Sequence, residues 1–329
     1  MASAKKKLLI PSNMSRKGWA VLGGRSDIEA IAFDMTIASA EFHALLRDAD
    51  GVALSLTRFG EAELQAGPNV RAVARHGVGY DMVDVAACTR HRVPLFVTGT
   101  ANSPSVAEHA LSFMLALAKR TEPLNAMVRE RRWAQRLAEP LPIDLFGKTL
   151  LVVGFGRIGT RIAKACVALG MAVRVYDPYV PASAVSAAGC IAEVDLDAAL
   201  PQADFVTIHC PKTPETTNMF DATRLASMKS SAYLINTARG GIIDEAALQV
   251  ALTEGRISGA GLDVFEREPP ADDNPLLSNP KVIAAPHMAG VTREAMDRMA
   301  IAVAENLLSV IDGKPKLENV VNPEVFGHR

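Results

Sequence analysis

The sequence predicts an α/β protein built of two doubly wound domains with a cleft between them. Short apolar runs alternate with helical patterns over the first hundred residues, a second alternation starts near Lys148, and the first strand of that second series leads into a glycine-rich turn. Strand and helix in strict alternation specify a parallel sheet covered by helices.

In the first series, Leu8 to Ile10, Gly51 to Leu56, Val70 to Ala74 and Val93 to Val97 read as strands, and Ala40 to Leu46, Glu61 to Ala66 and Met82 to Thr89 as helices. This pattern suits a flavodoxin-like domain. Ser103 to Ala118 and a basic stretch from Glu122 to Arg136 read as two crossing helices, the second ending before Pro140 and Pro142. Six strands are then expected near 149–153, 172–176, 204–208, 232–236, 258–262 and 281–284. The apolar stripe Met296, Met299, Ala300, Val303, Leu307 and Val310 predicts a last helix over Arg293 to Ile311, which carries the chain back to the first domain. The expected division is 1–101 with 288–329, and 102–287. Glu266 to Pro280 reads as a loop.

The turn is Val153-Gly154-Phe155-Gly156-Arg157-Ile158-Gly159, and Asp177 follows its last glycine by 18 residues at the end of the next apolar run. Gly154 permits the tight turn, Gly156 lets a pyrophosphate approach the backbone, and Gly159 lets the helix pack on the sheet with its first amides toward the phosphates. The unit is a dinucleotide-binding fingerprint of Rossmann type. Asp177 would accept hydrogen bonds from a ribose diol and repel a 2′-phosphate, which favours NAD over NADP.

Composition bounds the partners. With 35 basic and 36 acidic residues the formal charge is −1, which leaves no global field for nucleic acid or an anionic membrane. Cys88, Cys166, Cys190 and Cys210 show no paired spacing, so neither a metal site nor a disulfide framework is expected. The apolar stretch after the basic start is cut at Pro11, and no run approaches the ~18 residues of a membrane span. A cytoplasmic protein is the expectation.

Three strand ends place ionisable residues where an open α/β sheet binds ligands: Arg239 in Asn236-Thr237-Ala238-Arg239-Gly240, Glu268 after Asp263-Val264-Phe265, and His287 after Pro286. A histidine can exchange a hydroxyl proton near neutral pH, an acid bonded to it would orient the ring and stabilise its charged form, and a planar guanidinium can clamp a carboxylate. That set suits oxidoreduction at a carbon next to a carboxylate. Of the other histidines, His43, His91, His109 and His328 read as structural or solvated, while His76 and His209 adjoin the expected sites.

These motifs, in this order, resemble the D-isomer-specific 2-hydroxyacid dehydrogenases over about residues 50–315. The resemblance implies that Arg239, Glu268 and His287 are catalytic, that Gly154, Gly156, Arg157, Ile158, Gly159 and Asp177 hold NAD, and that Asp263 with Thr237 and Ala238 holds its nicotinamide side. It further implies that Cys210 and Pro211 border the adenosine and that Ser55, Arg75, Gly77, Val78 and Gly79 bind substrate, the Val78 and Gly79 amides receiving the carboxylate. The family's phosphoglycerate enzymes carry an arginine where Leu54 stands here. A small unphosphorylated 2-keto acid, of hydroxypyruvate or glyoxylate type, is therefore expected. A D-3-phosphoglycerate dehydrogenase lacking a regulatory domain is the alternative, with Arg58 or Arg75 serving the phosphate. Glu268 argues against formate dehydrogenase, which has glutamine there. An NAD-sensing, corepressor-like binding protein is the competing class, and family habit suggests a homodimer.

Overall fold

The computed structural model describes residues 4–138 and 140–327, so Met1 to Ser3, Glu139, His328 and Arg329 lie outside the described residues. The first alternation runs β1 (Lys6–Pro11), α1 (Arg16–Gly23), β2 (Ile28–Phe33), α2 (Ser39–Leu46), β3 (Gly51–Leu54), α3 (Glu61–Ala66), β4 (Val73–Arg75), α4 (Val85–Arg90) and β5 (Leu95–Phe96). Then come α5 (Ser103–Lys119), α6 (Thr121–Arg129), β6 (Thr149–Val153), α7 (Gly159–Ala168), β7 (Ala172–Tyr176), α8 (Ala182–Ala187), β8 (Ile191–Glu193), α9 (Leu196–Ala199) and β9 (Phe205–Ile208). The chain continues with α10 (Ala222–Ser227), β10 (Tyr233–Asn236), α11 (Glu245–Thr253), β11 (Gly259–Leu262), β12 (Val282–Ala284) and α12 (Arg293–Ile311).

Two compact units result, one of residues 1–102 with 291–329 and one of residues 103–290. The first holds a five-stranded parallel sheet in the order β2-β1-β3-β4-β5, the flavodoxin order. The second holds seven parallel strands, β12-β11-β10-β9-β6-β7-β8, whose order reverses between β6 and β9. A crevice beyond the carboxyl ends of β6 and β9 is where such a sheet takes its ligand.

Each sheet is buried on both faces. In the first unit, Val52, Leu54, Val73 and Leu95 pack under α2 to α4. Leu8, Ile10, Ala74 and Phe96 pack on the other face under Ala300, Val303, Ala304 and Leu307 of α12. The tail is fastened by buried Asn322, whose Oδ1 accepts from Leu95 N at 2.8 Å and whose Nδ2 donates to Val93 O at 3.1 Å.

Several expectations are corrected. The pair α1 and β2 stands where no element was expected, and β8 makes the second sheet one of seven strands rather than six. The basic helix expected to Arg136 stops at Arg129, because Arg131 turns left-handed (φ 60°) and a short 3₁₀ turn follows at Trp133–Gln135. Its charged residues have good helix propensity, but Trp133 and Leu137 are exposed, so no buried stripe extends the helix. Helix α4 starts at Val85 rather than Met82, since Asp84 caps it by accepting from Ala87 N at 2.8 Å.

The crossing of α1 and α12 depends on Gly18, where a Cβ would lie 2.6 Å from Ala300 O and 2.8 Å from Met14 Cε. Gly18→Ala is therefore expected to destabilise the first unit by about 1–3 kcal/mol despite alanine's better helix propensity, read as a lower urea midpoint at unchanged m-value. An unchanged or higher midpoint would show that the two helices separate at little cost.

Candidate active site

The glycine turn divides its labour by packing. A Cβ on Gly154 would lie 2.6 Å from Cys210 N, and one on Gly159 would lie 1.9 Å from Gly154 O, so these two are glycines because backbone occupies the space. At Gly156 nothing lies within 4 Å of that position, which leaves room for a ligand. Ile158 at the N-cap of α7 offers no side-chain acceptor to the first amides of the helix, a geometry suited to phosphate oxygens. The residues present thus fit a dinucleotide.

Asp177 does more than await a ribose. Its Oδ2 accepts from Phe155 N at 2.7 Å and its Oδ1 from Tyr179 N at 2.9 Å, tying the glycine turn to the end of β7. Each carboxylate oxygen retains a second lone pair for a ligand hydroxyl. Cys210 borders Gly154, and its burial pushes the thiol up to about 11. Beside it, Thr207 Oγ1 lies 2.9 Å from His209 Nε2, and desolvation holds His209 down at about 3, neutral at physiological pH.

At the other end of the second unit's sheet, His287 Nδ1 lies 2.6 Å from Glu268 Oε2. A carboxylate only accepts, so Nδ1 carries the hydrogen and Nε2 is left for other partners. Glu268 Oε1 also accepts from Phe265 N at 3.2 Å. The pair borders a pocket of about 440 Å³ whose lining includes Asp263, Phe265, Leu277 and Ala285. Arg239 follows β10, its Nη1 donating to Ala238 O at 2.7 Å, and Asn236 braces this turn by accepting from Ala238 N and donating to Arg239 O, both at 2.9 Å.

Buried Asp263 carries the turn on which His287 sits. Its main-chain oxygen accepts from His287 N at 2.8 Å, Oδ1 from Met288 N at 2.7 Å and Oδ2 from Ala289 N at 2.8 Å. These bonds secure His287 in a left-handed conformation (φ 54°), unfavourable for a residue with a Cβ. Burial raises the Asp263 pKa, opposed by the two amides and by His109 and His287.

In the first unit the loop after β4 is tight. Gly77 has φ 144°, its amide donates to Arg75 O at 2.9 Å, and Arg75 folds back so that Nη1 donates to His76 O. Ser55, Val78 and Gly79 are partly exposed on their loops. Leu54 lies fully buried in the core at the end of β3, while Arg58 is exposed.

Residues 111–289 match the sequence profile of the D-isomer specific 2-hydroxyacid dehydrogenase NAD binding domain. The chain belongs to the D-isomer specific 2-hydroxyacid dehydrogenase family. It is 38% identical to glyoxylate reductase from Korarchaeum cryptofilum over 283 residues, 85% of either chain. It is 37% identical to D-3-phosphoglycerate dehydrogenase from Synechocystis over 310 residues, 94% of this chain and 55% of that one. The chain spans about half the length of the phosphoglycerate dehydrogenases it matches. D-lactate dehydrogenase from Aquifex aeolicus, solved with NAD and lactic acid, superposes with a TM-score of 0.83 at 28% identity, covering 95% of this chain and 98% of that one. Against the family pattern, the bonds of Asp263 to the 288–289 turn and of Asp177 to Phe155 N could not be read from spacing, because both are long-range side-chain to backbone contacts.

His76 is buried, and desolvation, helped by the Arg75 charge, pushes its pKa down to about 4. The folded protein resists a proton that the unfolded chain accepts below about 6.5, so stability is complete above that pH and falls as pH drops from about 6.5 toward 4. Each such histidine contributes up to about 1.4 kcal/mol per pH unit in this window. His76→Phe should flatten the fall in unfolding free energy between pH 7 and pH 5, and an unaltered slope would contradict the assignment.

Proposed function

We propose that the protein is an NAD-dependent D-2-hydroxyacid dehydrogenase that interconverts a small 2-keto acid and its D-2-hydroxy acid. The observation that carries this reading is the 2.6 Å contact of His287 Nδ1 with Glu268 Oε2, which leaves Nε2 as a proton donor or acceptor. NAD(H), held by the glycine turn and Asp177, would supply the hydride to the keto carbon on reduction and accept it on oxidation. His287 gives a proton to the carbonyl oxygen on reduction and removes it from the hydroxyl on oxidation, while Glu268 holds the ring and offsets its charge. Arg239 clamps the substrate carboxylate and draws electron density from the adjacent carbonyl. The Val78 and Gly79 amides, with Arg75 at the end of β4 and Ser55 after the paired end of β3, serve as the anion-binding elements of the first unit.

Hydroxypyruvate or glyoxylate is the favoured substrate. The similarity to a glyoxylate reductase along most of both chains supports it, as does the buried Leu54, which offers no cation to a phosphate. The names of several relatives favour D-3-phosphoglycerate as the second reading, with exposed Arg58 as the candidate phosphate ligand. Asp177, negative beside the glycine turn, favours NAD over NADP.

His287→Ala is expected to lower kcat by about 10²–10⁴-fold in a steady-state assay of keto-acid reduction with NADH. Near wild-type kcat would refute the mechanism. In a panel of hydroxypyruvate, glyoxylate, pyruvate and 3-phosphohydroxypyruvate, the unphosphorylated acids should show the higher kcat/KM, and rates with NADPH should trail those with NADH.

The second unit exposes Val128, Trp133, Leu137 and Leu141 within a short span of sequence, at 56–76% of their accessible areas, apolar side chains suited to burial against a second copy. We propose a cytoplasmic homodimer through this face, the compartment being one that keeps the four free cysteines reduced. Trp133→Glu combined with Leu137→Glu should convert a dimeric light-scattering mass to a monomeric one. A dimer that survives both changes would place the interface elsewhere.

A further inference from the structure

Helix α5 runs along β11 in a matched ladder. A Cβ on Gly259 would meet Leu117 Cδ2 at 3.2 Å, and one on Gly261 would meet Phe113 Cβ and Cγ at 2.8 Å. Four helical residues rise about 6.0 Å and two strand residues about 6.6 Å, so the next rung pairs His109 with Asp263. The two glycines let the helix come close, and that approach delivers an imidazole to the carboxylate that follows the strand.

The rung is there. His109 Nε2 lies 3.9 Å from Asp263 Oδ1, and its ring stands edge-on to Phe113, with centroids 4.5 Å apart and planes at 79°. Buried Nε2 finds no hydrogen-bond partner among the described residues. Asp263 is 1% exposed and holds the 288–289 amides, so it is a buried anion whose nearby imidazole has a donor to give.

We propose that His109 is a positioning residue: its Nε2–H directed at Asp263 holds that carboxylate in the orientation that grips the Met288 and Ala289 amides, and through them places His287. This goes beyond the catalytic set of His287, Glu268 and Arg239, and rests on the reading of the protein as a dehydrogenase only for its effect on turnover. The effect on the turn itself is independent of that reading. A neutral ring suffices, since in one tautomer the Nε2–H bond dipole is aimed at the carboxylate across the 3.9 Å gap.

Two variants separate donation from packing. His109→Phe keeps a ring against Phe113 and removes the donor, whereas His109→Gln keeps a donor and removes the ring. Amide hydrogen exchange at Met288 and Ala289, measured by NMR without cofactor, should be faster in His109→Phe and close to wild type in His109→Gln. In steady-state assay with NADH, His109→Phe should lose about ten- to a hundred-fold in kcat, the scale of a small misplacement of a catalytic group, with KM little changed. His109→Gln should recover most of that loss. Unchanged exchange in His109→Phe, or equal loss in both variants, would overturn the proposal. Accelerated exchange in His109→Phe with wild-type protein inactive on every keto acid would uphold the positioning role and defeat the dehydrogenase reading.

Discussion

A carboxylate removed from water holds the reactive end of this molecule together. Asp263 ends the run of β11, and a charge at 1% exposure is tolerated only where donors surround it. Met288 and Ala289 supply two amides, and the His287 amide reaches the main-chain oxygen of the same residue. The bonds convert the end of one strand into a template for the loop after the next, β12. A histidine in a left-handed conformation persists there because the bonds on either side over-determine it.

The glycines express the same logic in reverse. Where Asp263 adds a group that must be satisfied, Gly154, Gly159 and Gly240 remove one that would not fit: a Cβ on Gly240 would lie 1.7 Å from Phe265 O. That contact brings the turn bearing Arg239 against the segment leading to Glu268. Close backbone approach thus brings the arginine's turn to the acid's segment, both following strands of the sheet that are almost wholly buried.

Much of this was legible in the amino-acid sequence because periodic burial leaves a periodic trace. The bounds of α12 and of the strands leading to Asp177 and Arg239 follow from apolar runs and their punctuation. What escaped was local or non-periodic. Strand β8 is a three-residue edge with half-exposed side chains, too short to announce itself. Helix α6 ends at a left-handed arginine no propensity scale anticipates. Leu54 stands where the resemblance would place an arginine, and its side chain is claimed by the core on one face of β3, which the motif does not reveal. His109 read only as structural or solvated, since nothing in its neighbourhood along the chain says that Asp263 lies across from it.

Helix α12 lies against α1 and against the sheet of the first unit, and Ser15 bonds to Asp297 across 282 residues of chain. The first unit is therefore interrupted by the whole of the second. On the ribosome, which releases the chain from its amino end, the earlier-written unit waits for residues beyond 290 before its second face is covered, while the inserted unit already has all its parts. The order of synthesis and the order of completion run opposite ways, and until α12 emerges the apolar sheet face of Leu8, Ile10, Ala74 and Phe96 has the cover of α1 but not that of Ala300, Val303, Ala304 and Leu307.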